Sequence, residues 1–431
     1  MKINNNASLE QNYDVWLPSD DLMKKIVEQE DLTSDEILAG VKDGTISILA
    51  SKISVERGEF TPCIVGNGTR KKVCAAIGMD ANDVSHFMSD ELKVILNSEP
   101  NALCDVSIGE EIPEALRSIR DHINIPLGSC PTYDVINAKV KRELTKEKVL
   151  EKIEEHLKSG VDFILLHMGL SYKMMDKVLS SNRVMPSTSR GGGAIIRYMK
   201  MTEKENPFIL YLDDIAKLCK EYQVVLDLGD IFRPGCVQDG DNLMEVDCLK
   251  AMEVNHLNQL RQRALSLGVQ VVCEAGGHVS LNKITDFVVW LKESLGQAPL
   301  FFNGPLPTDR AVGYDSIANA IGVSHAAIHG GDMFLSLSDA EHYAKPTPTQ
   351  SAQGVRATKV ALSTVEYAIG SFFEVRQNHA MGRARQDRQW NEQANTSLFP
   401  RISAKLFHEN GLVKDLQPCS LCGPLCPLLV N

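Results

Sequence analysis

The sequence predicts an α/β fold, a (β/α)8 barrel preceded by a small N-terminal domain and followed by a helical C-terminal extension. Three observations carry this expectation. From about residue 70 to residue 340, short β-rich runs alternate with helical stretches, the pattern of parallel strands joined by helical crossovers. His167, Ser189, Arg190, Asp230 and Glu274 each fall at the C-terminal end of such a run, and that rim is where a barrel assembles its active site. The length of 431 residues accommodates a barrel of ~250 residues with flanking segments.

Taken in order, residues 1–70 have mixed helical character, with Asp20–Glu30 and Thr33–Asp43 as helix candidates, and read as the N-terminal domain. Residues 71–350 read as the catalytic barrel. Its strand candidates are 71–77, 102–107, 125–130, 162–167, 184–189, 223–229, 269–274, 299–303 and 333–337, with amphipathic segments such as Lys146–Ser159 and Asp247–Leu267 between them. These are nine candidates for eight strands, so one is a loop or an accessory strand, and periodicity does not say which. A doubly wound open sheet is the alternative; it would place a ligand at a switch-point crevice, with fewer strands contributing. Residues 351–431 turn helical, then polar and Arg-rich around Arg376–Gln393, and end in a tail.

Hydrophobic residues at 43% and charged residues at 23% describe an ordinary globular chain. A net charge of −11 argues against a nucleic-acid partner, whose phosphates require a basic surface, and favours a small-molecule substrate. No apolar run approaches the ~18 residues of a membrane span, and the opening residues lack the basic and apolar regions of a secretory signal. The expectation is a cytoplasmic protein with no membrane partner. Eight of the eleven cysteines are scattered, as reduced, buried cysteines are; Cys419, Cys422 and Cys426 crowd into the last thirteen residues.

Those three thiols are the strongest chemical signal. Three thiolates hold three irons of a 4Fe–4S cluster and leave the fourth open to a ligand. The alternatives are a zinc knuckle, for which His408 is the nearby fourth ligand, and a disulfide, which a reducing compartment disfavours. A second signal is Thr188-Ser-Arg-Gly-Gly-Gly193. Backbone N–H groups of Gly191 and Gly192 can approach a phosphate while Arg190 adds a bidentate contact, and the competing reading is a flexible turn. Asp230, Arg233, Glu274 and His278 gather further charge at the rim, where they can bind an amino-acid-like ligand, ligate a metal or transfer protons; structural ion pairs are the alternative. His342 follows the last strand and can join His278 as a metal ligand, unless both imidazoles are structural.

Together these motifs resemble one family, the phosphomethylpyrimidine synthases of thiamine biosynthesis and their paralogue, 5-hydroxybenzimidazole synthase of anaerobic cobalamin lower-ligand synthesis. The resemblance runs from about residue 65 to the C-terminus. It rests on Gly128-Ser-Cys-Pro-Thr-Tyr133-Asp, Ser189-Arg-Gly-Gly, Leu228-Gly-Asp-Ile-Phe-Arg-Pro-Gly235, Glu274 to His278, Gly304-Pro-Leu-Pro-Thr-Asp309, Gly313-Tyr-Asp315, Ala340-Glu-His342 and the cysteine motif. It implies a radical enzyme in which a 4Fe–4S cluster cleaves S-adenosyl-L-methionine, with aminoimidazole ribonucleotide as substrate and a reducing electron-donor protein as partner. It also implies a homodimer whose mobile C-terminal cluster domain closes over the partner's site. By position, Tyr133, His167, Ser189, Arg190, Gly191 and Gly192 hold the substrate. Asp230, Arg233 and Glu274 line the S-adenosylmethionine side as catalytic residues, and His278 with His342 binds a divalent metal, zinc or iron.

Three departures separate the chain from the thiamine-pathway pattern. It has Glu274-Ala-Gly-Gly-His278 where that branch reads Glu-Gly-Pro-Gly-His, Cys74 and Ala76 in place of two Asn, and Phe301 in place of a Tyr. Losing two amides and a phenol removes hydrogen-bonding groups from the cavity. On that ground the expected activity is conversion of aminoimidazole ribonucleotide to 5-hydroxybenzimidazole, with phosphomethylpyrimidine synthesis as the alternative. A non-catalytic metal or nucleotide sensor is the reading from another class, which iron and sulfide analysis discriminates.

Overall fold

The computed structural model describes residues 13–78, 90–109, 111–137, 140, 142–245 and 248–429. Two short strands, β1 (Ile46–Leu49) and β2 (Cys63–Gly66), form an antiparallel hairpin ahead of the barrel. The barrel strands are β3 (Lys72–Ile77), β4 (Ala102–Asp105), β5 (Leu127–Ser129), β6 (Phe163–His167), β7 (Val225–Gly229), β8 (Val271–His278), β9 (Leu300–Leu306) and β10 (Met333–Ser336). Each pairs in parallel with its neighbour, and β10 returns to β3 with Met333 opposite Lys72, so the eight strands close into the expected (β/α)8 barrel. Helices cover the outer face and side chains fill the lumen, which is why these strands are buried almost throughout instead of alternating buried and exposed.

The bottom of the lumen is a packed core. Cys74, Ala102, Phe163, Val225, Val272, Phe301 and Met333 point inward and meet Leu49, Cys63 and Val65 of the hairpin, which plugs the N-terminal end. Phe163 and Phe301 meet edge to face with ring centroids 6.3 Å apart. Truncating either ring would cost about 3–5 kcal/mol, enough to threaten a domain of ordinary stability. Polar contacts fix the plug: Ser47 Oγ donates to the Val271 carbonyl at 2.9 Å, and the Ile48 N–H donates to Gln270 Oε1 at 2.7 Å.

Two expectations change. Segment 184–189 is a loop, which identifies the surplus strand candidate; Pro186 supplies no ladder donor, and Val184 and Met185 are exposed. Consequently Thr188–Gly193 does not close a strand: Ser189 caps the helix Arg190–Thr202, its hydroxyl accepting from the Gly192 N–H at 3.2 Å. The N-terminal region, read as mixed in character, adds β1 and β2 to its helix candidates. Its two helices do form, at Asp20–Val27 and Ser34–Lys42, the second opened by a Thr33–Glu36 capping box.

The chain divides into two compact units, 1–358 and 359–431. The second contains the helices Phe372–Gln386, Trp390–Thr396 and Pro400–Glu409, and the cysteine tail. Among the described residues no helix is long and apolar enough to cross a membrane.

Candidate active site

A cavity of about 960 Å³ opens at the C-terminal end of the barrel. Its floor is largely apolar, formed by Ala76, Cys104, Cys130, Leu165, Phe301 and Leu335, and its rim carries Tyr133, His167, Arg190, Arg233, Glu274, His278 and His342. Seven of the sequence-predicted residues therefore converge on one space. Asp230 is fully buried behind Arg233, and Ser189, Gly191 and Gly192 lie behind the wall instead of lining it. Of the positions that depart from the thiamine-pathway pattern, Ala76 and Phe301 face the cavity while Cys74 lies deeper, in the packed core.

On one side of the rim Arg190 lies over the Tyr133 ring, its guanidinium carbon 4.6 Å from the centroid, and Arg190 Nη1 donates to the Val106 carbonyl at 3.2 Å. Below them, His167 Nδ1 lies 3.2 Å from Thr132 Oγ1. Burial, aided by the Arg233 and Arg190 charges, pulls His167 down to about 3, so its imidazole stays neutral at physiological pH. The glycines have packing reasons as well. A Cβ on Gly191 would collide with the His167 ring, and one on Gly192 would press on Ile231; only Gly193 faces open space. Two of the three glycines thus let the helix start against the strand ends. Arg190→Gln is expected to weaken binding of a phosphorylated ligand about tenfold or more, the loss of one charge-assisted contact, without changing stability. Equal affinity for a phosphate-bearing ligand in titration calorimetry would remove Arg190 from that role.

Opposite stands a buried charge network. Arg233 Nη1 reaches Asp230 Oδ1 at 3.0 Å and Glu274 Oε1 at 3.1 Å. Glu274 Oε2 accepts from the Asp230 N–H at 3.0 Å, and the Asn303 amide donates to Glu274 Oε1. Burial pushes Glu274 up to about 7, against the pull of Arg233, so this carboxyl can hold or release a proton near neutrality. Beneath lies Asp227, fully buried, with neither carboxyl oxygen hydrogen-bonded among the described residues. Burial and the facing Glu274 and Asp230 charges raise it well above the ordinary carboxylate range, so it is a neutral acid.

The two histidines do meet. His278 ends β8, where a register shift and Gly277, whose Cβ would lie 2.5 Å from the Pro234 carbonyl oxygen, bring its backbone against the loop after β7. The two Nε2 atoms lie 3.2 Å apart. Each Nδ1 faces a carboxylate, Asp309 Oδ1 at 2.7 Å from His278 and Asp315 Oδ1 at 2.8 Å from His342. Each Nδ1 thus has a carboxylate acceptor, and the two Nε2 atoms face each other at a spacing that either a shared proton or a shared cation can bridge. Two nitrogens on one tetrahedral zinc at ~2.0–2.1 Å would be about 3.3 Å apart, so the observed spacing suits a shared metal.

Cys419, Cys422 and Cys426 lie on successive tight turns, with the Gly423 N–H donating to the Cys419 carbonyl at 3.2 Å and the Leu425 N–H to the Cys422 carbonyl at 3.0 Å. All three are unbridged and at least partly exposed, whereas seven of the other eight cysteines are buried. Among the described residues no three His, Cys, Asp or Glu side chains converge as a metal site, so the tail presents a donor set of three thiols, not a preformed cage. That donor set fits a cluster with one open iron.

Residue-type reasoning missed Lys250, Glu253, Asn303, Asp227, Asp309 and Asp315. The two aspartates beside the histidines stand in the motifs Gly304–Asp309 and Gly313–Asp315, where no role had been attached to them. Asp227 was legible as a lone charge in an apolar strand, whereas Lys250 and Glu253 stand in the amphipathic segment Asp247–Leu267 with no local signal that they face inward.

Comparison with known proteins fixes the relationship. The Radical SAM ThiC family matches residues 18–431. Phosphomethylpyrimidine synthases from Desulfotalea psychrophila and from Thermoanaerobacter sp. are each 33% identical to this chain, over 418 and 414 residues, which is 95% of this chain and 94% of theirs. That of Thermus thermophilus is 32% identical over 412 residues, 94% of this chain and 92% of its own. These names overturn the expected 5-hydroxybenzimidazole synthase activity. The apolar substitutions behind that expectation alter the cavity floor, but they leave the rim residues in place and so do not specify a different ring product. The match spans the barrel and the three-cysteine tail alike, and the chain belongs to the radical S-adenosylmethionine ThiC family.

Proposed function

We propose that this chain is a phosphomethylpyrimidine synthase that takes aminoimidazole ribonucleotide as substrate and S-adenosylmethionine as co-substrate. The observation that carries the reading is similarity to enzymes of that name over 95% of the chain, with seven of the sequence-predicted site residues on one cavity. Cys419, Cys422 and Cys426 would hold the cluster. When bound, it supplies the electron that splits S-adenosylmethionine into methionine and a radical able to remove hydrogen from the ribose. The chain's own residues bind, orient and exclude water. Arg190, the residue of the Gly-rich turn's Ser189–Gly192 run that lines the cavity, receives the phosphate through its guanidinium. Tyr133 and neutral His167 face the nucleotide. Arg233 is set to take the carboxylate of the methionine portion, and Glu274 holds or gives up a proton at its carboxyl oxygens. As part of the same reading, the protein works as a homodimer served by a reducing electron-donor protein.

His278 and His342 would hold one divalent metal, zinc or iron, as an anchor for donor atoms of the methionine portion. Burial keeps His278 below its ordinary value, as a neutral ligand requires. Asp315→Asn should lower metal affinity by about 10–100-fold, because the carboxylate orients the His342 ring. Metal analysis after dialysis checks this, and wild-type metal content in a His278→Ala variant would eliminate the site.

The whole reading is tested by incubating anaerobically reconstituted protein with S-adenosylmethionine, aminoimidazole ribonucleotide and a reductant. Methionine and 5′-deoxyadenosine should form in proportion to the ribonucleotide. Cluster-loaded protein that forms neither would contradict it.

A further inference from the structure

Behind the charge network, and outside the cavity, stands a second buried pair. Lys250 and Glu253 lie in the first turns of the helix Leu249–Ser266, 1% and 0% exposed, and neither lines the cavity. Lys250 Nζ donates to Asp230 Oδ2 at 2.7 Å and to Glu253 Oε2 at 2.8 Å. Glu253 Oε1 accepts from the Ile231 N–H at 2.5 Å and the Phe232 N–H at 3.1 Å. One side chain thus clamps the Asp230 carboxylate, and the other clamps the backbone that follows it.

We infer that Lys250 and Glu253 are positioning residues of the S-adenosylmethionine subsite, holding the Asp230–Arg233 turn so that the guanidinium meets the cofactor in a fixed orientation. The inference rests on the reading of that side of the cavity given above. A fully buried carboxylate stays ionised only when paired. Asp230 has Arg233 on one oxygen and Lys250 on the other. Burial works against its charge, but the Lys250 ammonium and the Arg233 guanidinium hold it below the ordinary range. Without Lys250, Asp230 would tend to take up a proton and loosen its hold on Arg233. Without the Glu253 carboxylate, two buried N–H groups would lose their acceptor. Gly169 belongs to the same device: a Cβ there would strike the Glu253 carboxylate.

The test uses the full-length reconstituted chain and the variant Lys250→Met/Glu253→Gln. This pair removes both charges together and keeps the Glu253 position able to accept from the backbone, so the variant can fold even if Lys250→Met alone does not. Dissociation constants for S-adenosylmethionine and for aminoimidazole ribonucleotide are measured without turnover, beside kcat. S-adenosylmethionine should bind tenfold or more weakly, with affinity for the ribonucleotide within twofold of wild type and kcat reduced. A smaller change for S-adenosylmethionine, or an equal loss for both ligands, would overturn the positioning role while leaving the proposed function intact. A wild-type chain that binds no S-adenosylmethionine would overturn both.

Discussion

Replacing Cys422 with serine is expected to reduce S-adenosylmethionine cleavage to background while leaving the barrel folded. A serine hydroxyl is a far poorer iron ligand than a thiolate, and a cluster held by two cysteines would be lost or incomplete. The barrel should not notice. Cys422 is exposed and lies in the compact unit 359–431, and an exposed substitution away from a core changes stability by about 0.5 kcal/mol or less. Iron and sulfide content should fall with an unchanged thermal transition of the barrel. A variant that carries a full cluster and cleaves S-adenosylmethionine would reject the ligand assignment.

Arg233→Met should be the most damaging single change in the cavity. It removes the cation shared by Asp230 and Glu274, one fully buried and the other nearly so, and breaking a buried pair in this way costs on the order of 3 kcal/mol. The cost should depend on pH through Glu274. Its carboxyl already sits at about 7 in the folded protein, above its ordinary value, so it favours the folded state less as pH rises towards 7. Losing Arg233 removes the main influence lowering it and carries it higher still, so in the variant the decline continues above pH 7, where in the wild type it has ended. The stability gap between wild type and variant should therefore widen from pH 6 to pH 8 in denaturant melts, and S-adenosylmethionine cleavage should fall more than a hundredfold. A gap of equal size at both pH values would show that Glu274 is not the group Arg233 relieves.

The barrel was legible because its strands are short apolar runs, each followed by a helical stretch, and because chemistry-bearing residues mark strand ends. The surplus candidate, 184–189, misled because Val184 and Met185 imitate a strand, yet Pro186 and an exposed setting make it the loop that leads to the Ser189 cap. The plug β1–β2 was missed because runs of four residues carry too little periodicity to separate strand from helix. At the site, the pairing of His278 with His342 was readable from their positions after β8 and β10. What was not readable was the support: Asp309, Asp315, Lys250 and Glu253 act through tertiary contacts that lie 20 to 31 residues away in sequence from the groups they hold. The Gly-rich turn was read for its freedom to approach a phosphate, whereas at Gly191 and Gly192 the demand is room for His167 and Ile231. The product was misjudged for a related reason. The floor substitutions at Ala76 and Phe301 are real, but a polarity count in a cavity does not name the ring that forms there.

The most direct test is therefore the product itself. Anaerobically reconstituted protein with aminoimidazole ribonucleotide, S-adenosylmethionine and a reductant should yield a phosphomethylpyrimidine, identified by mass, together with one 5′-deoxyadenosine or more per product. A product of any other ring system, or one that has lost its phosphate, would contradict the proposed function even if S-adenosylmethionine is cleaved.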